Sequence, residues 1–407
     1  MYKVILKSKK HIILISSLFL LSACAGTNNL NQSLDTNSKL AIKKQTHKKQ
    51  SIKARRNLIT GTKILAPHEH KCVWERASHN FKLKFKEHRK EIKKFIPHYN
   101  QYHIKELSAK AEPYLHYIIK ELERRNLPGE LALLPIIESC FNPFALSPVG
   151  PIGIWQLNVA TGKRFGTSLN HWFDGRGDIT VSTNAALNYI EYLYKKFDKD
   201  WLLTLAAYNS GEGWVDKAIK KNKRLKRSTD FWSLSLPKET RNYVPKLLAL
   251  ASIIKKPNKY KIKLPQIKNV PYLTLLDIGK QIDLAYAAKI SEMSLKQLKR
   301  FNPGYTKWAT NPEGPHLLLL PVENAQKFTE NLSNPNIRKY AMTSRKYIIK
   351  RGDNLSKIAK RFKVTINQLK ERNKMINDVI IAGKHIFIPF HADSFDLNNL
   401  TKHTIIS

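Results

Sequence analysis

The sequence predicts a mainly α-helical protein that ends in a small β-α-α-β module. Two observations carry this prediction. Between residues 98 and 260, apolar residues recur at the spacing of amphipathic helices. Between residues 346 and 389, two short strand-like runs flank two short helical patterns. The chain of 407 residues is long enough for several compact units.

The first residues have the pattern of a bacterial lipoprotein signal peptide. Lysines precede the apolar stretch Ile12 to Leu21, which is too short to span a bilayer. The stretch runs into Leu21-Ser-Ala-Cys24, which resembles a lipobox, so we expect a lipid on Cys24. Ala25 rather than Asp follows, which by the same resemblance favours the periplasmic face of the outer membrane. An ordinary signal peptide with a chance cysteine is the alternative.

The charge of the chain predicts attraction to polyanions. Lys and Arg number 71 against 31 Asp and Glu, a formal net charge of +40. Nucleic acid is the usual polyanion, but the export signal separates the protein from it, so we expect no nucleic-acid partner. Anionic lipids and the peptide carboxylates of the cell wall remain. No cofactor is expected, and no metal either, because His68, His70 and Cys72 lack a fourth ligand.

A polar segment follows the signal peptide. Residues 25–66 are rich in Asn, Thr, Ser, Gln and Lys and contain no aromatic residue. Such a composition buries too little apolar surface to offset the entropy of ordering, so we expect a flexible tether.

The helical region contains four clear patterns. The first pattern runs from Leu115 to Leu122, and Asn126 or Gly129 is expected to end its helix. The second pattern runs from Ala186 to Phe197, and Ser182 is expected to cap the N-terminus of its helix. A third, buried helix stops at Asn209, and the fourth has Pro245 inside it as an expected kink. The apolar or flanking residues that define them are Leu115 to Leu122, Ala186 to Phe197, Trp201 to Tyr208, and Thr240 to Ile254.

The C-terminal third divides into two parts. Residues 263–325 are interrupted by prolines, with a short helix before Asn302 and a strand over Leu317 to Leu320. In the β-α-α-β module, Thr365 with Gln368 three residues later forms the pattern of a capping box. The residues after 390 carry no clear signal.

Glu138 is the main catalytic candidate. It ends the apolar run Leu131 to Ile137. A carboxyl group in apolar surroundings is costly to ionise, so its pKa rises and it holds a proton near neutral pH. That property suits a general acid that cleaves a glycosidic bond. Ser147 and Gln156 follow at nine-residue steps and are candidates to hold a sugar beside it.

With these residues identified, the chain resembles the membrane-bound lytic murein transglycosylase D family over about residues 70 to 390. The resemblance implies a lysozyme-like helical catalytic domain that acts on peptidoglycan. Any one of its motifs alone is weak, but their order and spacing together are specific. The motifs are Glu138-Ser139, Ser147 to Gln156, Ala206 to Gly211, and Glu239 to Val244.

The resemblance also implies roles for individual residues. Glu138 is expected to act first as acid and then as base, releasing a 1,6-anhydromuramoyl product without water. The expected substrate-binding residues are Ser139, Ser147, Gln156, Tyr208, Asn209, Glu239 and Tyr243. Ser139 has a second interpretation, in which it only orients the acid. Tyr208 and Tyr243 could instead be aromatic residues of the core. Glu239 could instead be a carboxylate that stabilises the start of a helix. Trp155 is expected to be a packing residue.

The final module resembles a LysM domain, a family that binds glycans containing N-acetylglucosamine. Its sugar groove is expected at Gly352, Asp353, Leu355 and Ile381, although Asp353 has an alternative as a helix N-cap. The preceding segment is similar to a divergent LysM-like stretch. The predicted segments are signal peptide 1–24, tether 25–66, transglycosylase domain with a helical N-terminal extension 67–262, LysM-like segment 263–330, LysM domain 344–390, and tail 391–407.

The chain departs from the family pattern at one loop, and other functions fit parts of the sequence. Gly175 and Gly177 interrupt a stretch that is usually charged in the family, so we expect an altered loop there. Three other functions are alternatives: a goose-type lysozyme-like hydrolase that uses water, an inactive peptidoglycan-binding lipoprotein, and a nucleic-acid binder attracted by charge. The sequence names no protein partner.

Overall fold

The computed structural model describes residues 66–334, 342–373, 375–391 and 403–405. The predicted signal peptide, Cys24 and all but the last residue of the predicted tether lie outside these residues. Within the described part of the chain, no helix is both long and apolar enough to cross a membrane.

Nine α-helices form the first part of the described chain, between residues 73 and 255. Their apolar faces meet in one large core. The helices are α1 (Val73–His79), α2 (Lys90–Lys93), α3 (Gln101–Arg124), α4 (Leu134–Ser139), α5 (Val159–Phe165), α6 (Ile179–Lys196), α7 (Trp201–Ser210), α8 (Glu212–Arg224) and α9 (Lys238–Lys255). Short 3-10 turns lie at Pro67–Glu69, Ile96–His98, Gly129–Leu133, Phe231–Ser233 and Pro257–Tyr260.

The helix α3 supplies one wall of this core. Its apolar face is buried from Ile104 to Leu122, and each buried aliphatic side chain contributes about 1.5–3 kcal/mol to stability. Beyond the C-terminus, Asn126 has a left-handed φ of 57°. The N–H groups of Asn126 and Leu127 donate to carbonyls of the last turn, which satisfies its free acceptors. The predicted stop at Asn126 is therefore confirmed.

One detail of the helix predictions is corrected. The cap of α6 is Asp178, whose carboxylate accepts from the N–H groups of Thr180 and Val181. Ser182 is fully buried inside the helix, so its prediction as the cap was wrong. The predicted position of Pro245 inside the fourth helix is confirmed, because α9 continues through it and the residue is buried.

The LysM-like segment has the same β-α-α-β order as the final module. Its strands β1 (Leu273–Asp277) and β2 (Leu317–Pro321) pair antiparallel, with Leu275 opposite Leu319. The elements between and after them are α10 (Leu284–Ile290), α11 (Leu295–Phe301) and α12 (Val322–Ser333). Leu276, Leu298 and Phe328 are among the residues of its separate core. The predicted strand at Leu317 to Leu320 is thus confirmed.

The final module is built from two strands and two helices, as predicted. Strands β3 (Met342–Ile348) and β4 (His385–His391) pair antiparallel around α13 (Leu355–Phe362) and α14 (Ile366–Asn373). The capping box of α14 is confirmed, because the N–H groups of Thr365 and Gln368 each donate to the other residue's side-chain oxygen. A last strand, β5 (His403–Ile405), pairs with the free edge of β1, and nothing in the sequence had indicated it.

Candidate active site

Glu138 lies in the last turn of α4. Leu134 and Ile136 are buried and fix this short helix in the core. The chain turns sharply after Ser139, because Cys140 and Phe141 both have left-handed φ angles, of 51° and 55°. The Glu138 side chain is only partly buried, so it remains accessible while most of its surroundings are protein.

The electrostatics of this carboxyl favour a proton near neutral pH. Burial raises the pKa of Glu138, a hydrogen bond from Tyr243 lowers it, and the charge of Glu239 raises it, giving a pKa of about 7. The Tyr243 hydroxyl donates to Glu138 Oε1 at 2.5 Å. Tyr243 is itself buried, and burial raises the pKa of its phenol well above 10, so the phenol stays a donor. The pair therefore provides one carboxyl group that can both give and accept a proton near pH 7.

The loop of residues 145–157 carries Ser147 and Gln156. A turn closes at Ser147, whose carbonyl accepts from the N–H of Gly150 at 2.9 Å. Gln156 has a left-handed φ of 48°, and its amide nitrogen donates to the carbonyls of Gly153 and Ala145 at 2.8 and 3.2 Å. Part of the Gln156 side chain is thus used to shape the loop.

A cavity of about 470 Å³ is lined by Gln156, Tyr208 and Asn209. The Tyr208 hydroxyl donates to the Trp155 carbonyl at 2.8 Å. The negative charge of Glu138 contributes to raising the pKa of Tyr208, after burial, so this ring lies near the acid. The structure therefore brings three of the predicted residues together. Glu138 and Ser147 are not among the residues that line this cavity.

Glu239 lies beside Asn209, in the first turn of α9. Its side chain is exposed, and its Oε1 lies 3.5 Å from the amide nitrogen of Asn209. The Thr240 hydroxyl donates to the Asn209 amide oxygen at 2.8 Å. The end of α7 and the start of α9 are joined by these contacts, and Glu239 occupies the helix-start position that its alternative interpretation described.

Ser139 and Trp155 face the protein interior. The Ser139 hydroxyl lies 3.1 Å from the carbonyl of Pro135 and 3.0 Å from that of Ile154. These contacts fit the interpretation in which Ser139 orients the acid. Trp155 is fully buried and donates its indole N–H to Thr183 Oγ1 at 2.9 Å, which confirms it as a packing residue.

A buried ion pair supports the loop, and sequence reasoning missed it. Arg176 and Asp174 are both buried and lie 2.7 Å apart. A second nitrogen of Arg176 donates to the Gly150 carbonyl at 3.1 Å. Gly153 is required beside it, because a Cβ there would lie 2.5 Å from the Arg176 carbonyl and the φ is +77°. Two oppositely charged residues two positions apart were the only sequence signal.

The same ion pair adjoins the LysM-like segment. The Asp174 N–H donates to the Gly304 carbonyl at 2.8 Å, and the Thr306 N–H donates to the Trp172 carbonyl at 3.0 Å. A Cβ on Gly177 would lie 3.1 Å from the Pro303 carbonyl, so the glycine allows close approach of the two backbones. The unusual glycine of this stretch thus serves contact between modules.

The predicted LysM groove residues have distinct environments. Gly352 has a φ of +88°, Ile381 is 61% exposed, and Leu355 is buried in the module core. A hydrogen bond from the Tyr347 hydroxyl, at 2.7 Å, is the main cause of a lowered pKa of Asp353. The N-cap of α13 is Asn354 rather than Asp353, so the alternative interpretation of Asp353 was wrong.

Family comparisons agree with the module order. Residues 116–231 match the transglycosylase SLT domain, residues 272–337 match the LysM-like domain of lytic transglycosylase MltD, and residues 347–389 match the LysM domain. Among solved structures, an inactive mutant of lytic transglycosylase Slt from Pseudomonas aeruginosa aligns at 26% identity. That alignment covers 37% of this chain and 24% of the other, with a TM-score of 0.30.

The chain is similar to two curated proteins from Escherichia coli strain K12. Soluble lytic murein transglycosylase is 31% identical over 121 residues, which cover 28% of this chain and 18% of the relative. Membrane-bound lytic murein transglycosylase D is 35% identical over 392 residues, which cover 93% of this chain and 85% of the relative. Because this identity extends over most of both sequences, the chain belongs to the membrane-bound lytic murein transglycosylase D family.

Proposed function

We propose that the protein cleaves the β-1,4 bond between N-acetylmuramic acid and N-acetylglucosamine in peptidoglycan, as a lytic transglycosylase that uses Glu138. The two curated relatives described above are named as murein transglycosylases, and the SLT and LysM domains of this chain support the same activity. The observation that carries the residue assignment is the contact between Glu138 and the Tyr243 hydroxyl, with the pKa of Glu138 at about 7.

The reaction is proposed in two proton transfers. Protonated Glu138 gives its proton to the glycosidic oxygen as the bond from that oxygen to C1 of N-acetylmuramic acid breaks. The Glu138 carboxylate then takes the proton of the C6 hydroxyl of the same sugar, and the C6 oxygen bonds to C1. The nucleophile is held on the substrate, which gives it the high effective concentration of an intramolecular attack. The products are a 1,6-anhydromuramoyl end and a free N-acetylglucosamine hydroxyl, with no water consumed.

The neighbouring residues have supporting roles in this proposal. Tyr243 stabilises the anionic form of Glu138 between the two proton transfers. Gln156, Tyr208 and Asn209 hold the sugar in the cavity that they line. Ser147 and Glu239 also contact the sugar. Ser139 positions Glu138 through the backbone.

The two other functions on this fold predict different products. A hydrolase would leave reducing muramic acid ends, and an inactive binder would leave the glycan intact. Mass spectrometry of digested peptidoglycan separates them, because anhydro-muropeptides are lighter by one water. We expect anhydro products from the wild type and none from Glu138→Gln at equal binding to sacculi. Reducing ends alone would overturn the lyase proposal.

The protein acts at the cell envelope, in keeping with the membrane-bound relatives that it matches. We propose that Cys24 carries the lipid that holds it at the periplasmic face of the outer membrane. Radiolabelled palmitate in growing cells should label the wild type and leave Cys24→Ala unlabelled. Label on both proteins, or on neither, would refute the anchor at this residue.

A further inference from the structure

A second cavity flanks the proposed catalytic pair of Glu138 and Tyr243. We call it the flanking cavity. Its lining includes Ile137, which comes directly before Glu138, and Lys246, which lies one helical turn after Tyr243. It shares no lining residue with the cavity of about 470 Å³. Its volume of about 280 Å³ is close to the lower limit of about 300 Å³ for ligand sites, so it fits a short branch of a ligand rather than a polymer segment.

The floor of the flanking cavity is apolar. Phe95 and Ile136 are buried in the core, and Leu107 on α3 is partly buried. Tyr99 adds an aromatic ring, and its hydroxyl donates to the Lys246 carbonyl at 3.4 Å. Burial raises the pKa of the Tyr99 phenol above its usual value, so the hydroxyl stays neutral. Small apolar groups of a ligand are stabilised when such a floor removes them from water.

The polar groups of the flanking cavity carry a net positive charge. Lys110 forms an ion pair with Glu106 at 2.7 Å. Lys246 is exposed and lies over an aromatic ring instead, with its Nζ 5.7 Å from the ring centre of Phe95. Two exposed imidazole groups complete the polar lining, those of His98 and His103. One carboxylate therefore accompanies two ammonium groups, and the charge of Lys246 is available to a ligand carboxylate.

We propose that the flanking cavity binds the stem peptide of the muramic acid at the scissile bond, so that the enzyme prefers glycan strands that keep their peptides. This inference rests on the proposed function for the identity of the polymer. A stem peptide combines methyl groups with free carboxylates, and these match the apolar floor and the charge of Lys246. The peptide branches from the same sugar on which Glu138 acts, so it lies within reach of a cavity that flanks Glu138.

The position of the flanking cavity gives the bound peptide an effect on rate. Binding energy from a part of the substrate that does not react can be used to orient the part that does. A carboxylate held at Lys246 fixes the muramic acid beside Glu138, because Lys246 and Tyr243 lie on the same turn of α9 and Tyr243 donates to Glu138. Loss of this contact should therefore lower kcat/KM on strands that carry peptides.

The test compares two substrates of the full chain. One is uncrosslinked glycan strands with their stem peptides, and the other is the same strands after an amidase has removed the peptides and left the lactyl carboxylates. The readout is the ratio of kcat/KM for release of anhydro products from the two substrates. The test variant is Lys246→Gln, and the matched control is Lys105→Gln. Lys105 is exposed on α3 but is not among the lining residues, so both substitutions remove one charge from an exposed position and neither is expected to unfold the domain.

We expect the wild type to favour peptide-bearing strands about tenfold, Lys246→Gln to lower that ratio about fivefold, and Lys105→Gln to keep it within about twofold. A wild-type ratio near one, or a ratio that Lys246→Gln leaves unchanged, would overturn the proposal. An equal loss on both substrates would also overturn it, because Lys246 would then contact the glycan or its lactyl carboxylate. In each of these cases anhydro products still form, so the proposed reaction stands. Absence of anhydro products from both substrates would refute the reaction and the peptide subsite together.

Discussion

The hydrogen bond from Tyr243 to Glu138 makes the sharpest prediction about catalysis. Tyr243→Phe removes the hydroxyl that lies 2.5 Å from Glu138 Oε1 and keeps the ring. A hydrogen bond to a charged group is worth about 1.5–3 kcal/mol, and one pKa unit corresponds to about 1.4 kcal/mol. The hydroxyl lowers the pKa of Glu138, so its loss should raise that pKa by about one to two units.

The direction of the pH effect follows from the form of Glu138 that acts. In the proposed reaction the first step needs protonated Glu138, so activity should be present below the pKa of Glu138 and be lost as the pH rises through it. In the wild type this alkaline limb is expected near pH 7. In Tyr243→Phe it should move to higher pH, whatever the change in maximal rate. The assay is the release of anhydro-muropeptides from purified sacculi at a series of pH values.

Tyr208→Phe is the matched control. Its hydroxyl donates to the Trp155 carbonyl rather than to Glu138, so the alkaline limb should stay near its wild-type position. An unmoved limb in Tyr243→Phe, or one moved to lower pH, would show that this hydroxyl does not stabilise the Glu138 anion.

Three further predictions concern stability and are checked by thermal or urea unfolding. The folded-state pKa of Glu138 is raised from 4.5 to about 7. The contribution of this group to the free energy of unfolding is therefore fully present below pH 4.5 and is lost as the pH rises through about 7. Glu138→Gln should therefore be more stable than the wild type by about 1–3 kcal/mol at pH 8 and equal to it at pH 4, and equal stability at pH 8 would contradict this. Arg176→Met should cost about 3–5 kcal/mol by leaving Asp174 buried without its partner, and Asp174→Asn in the same protein should recover part of that loss. Gly153→Ala should destabilise more than Gly150→Ala, since both have positive φ but only the Cβ at Gly153 meets backbone, at 2.5 Å; equal losses would exclude the steric cause.

Much of the fold follows from local patterns in the chain. The helical periodicity before Asn126 and the capping box at Thr365 depend on residues three or four positions apart, so the sequence shows them directly. The cap of α6 was misjudged at Ser182 because several polar residues precede that helix. Asp178 serves as the cap since its carboxylate accepts from two N–H groups at once.

The candidate site was less accessible to sequence reasoning. The motif around Glu138 predicted this residue as the acid, but the main cause of its raised pKa is burial by the surrounding domain. The buried ion pair of Arg176 and Asp174 was missed, because the hydrogen bond from Arg176 to the Gly150 carbonyl joins residues that are 26 positions apart. The strand β5 was missed for the same reason, since it pairs with β1 from the far end of the chain.

The sequence by itself determined the order of the modules and the family and predicted Glu138 as the acid, because these depend on residue types at short spacings. Only the tertiary structure decided that Tyr243, 105 residues from Glu138, donates to it, and that Lys110 and Lys246 line one cavity. The physical reason is that desolvation and long-range contacts depend on how distant elements pack together, which local patterns do not specify.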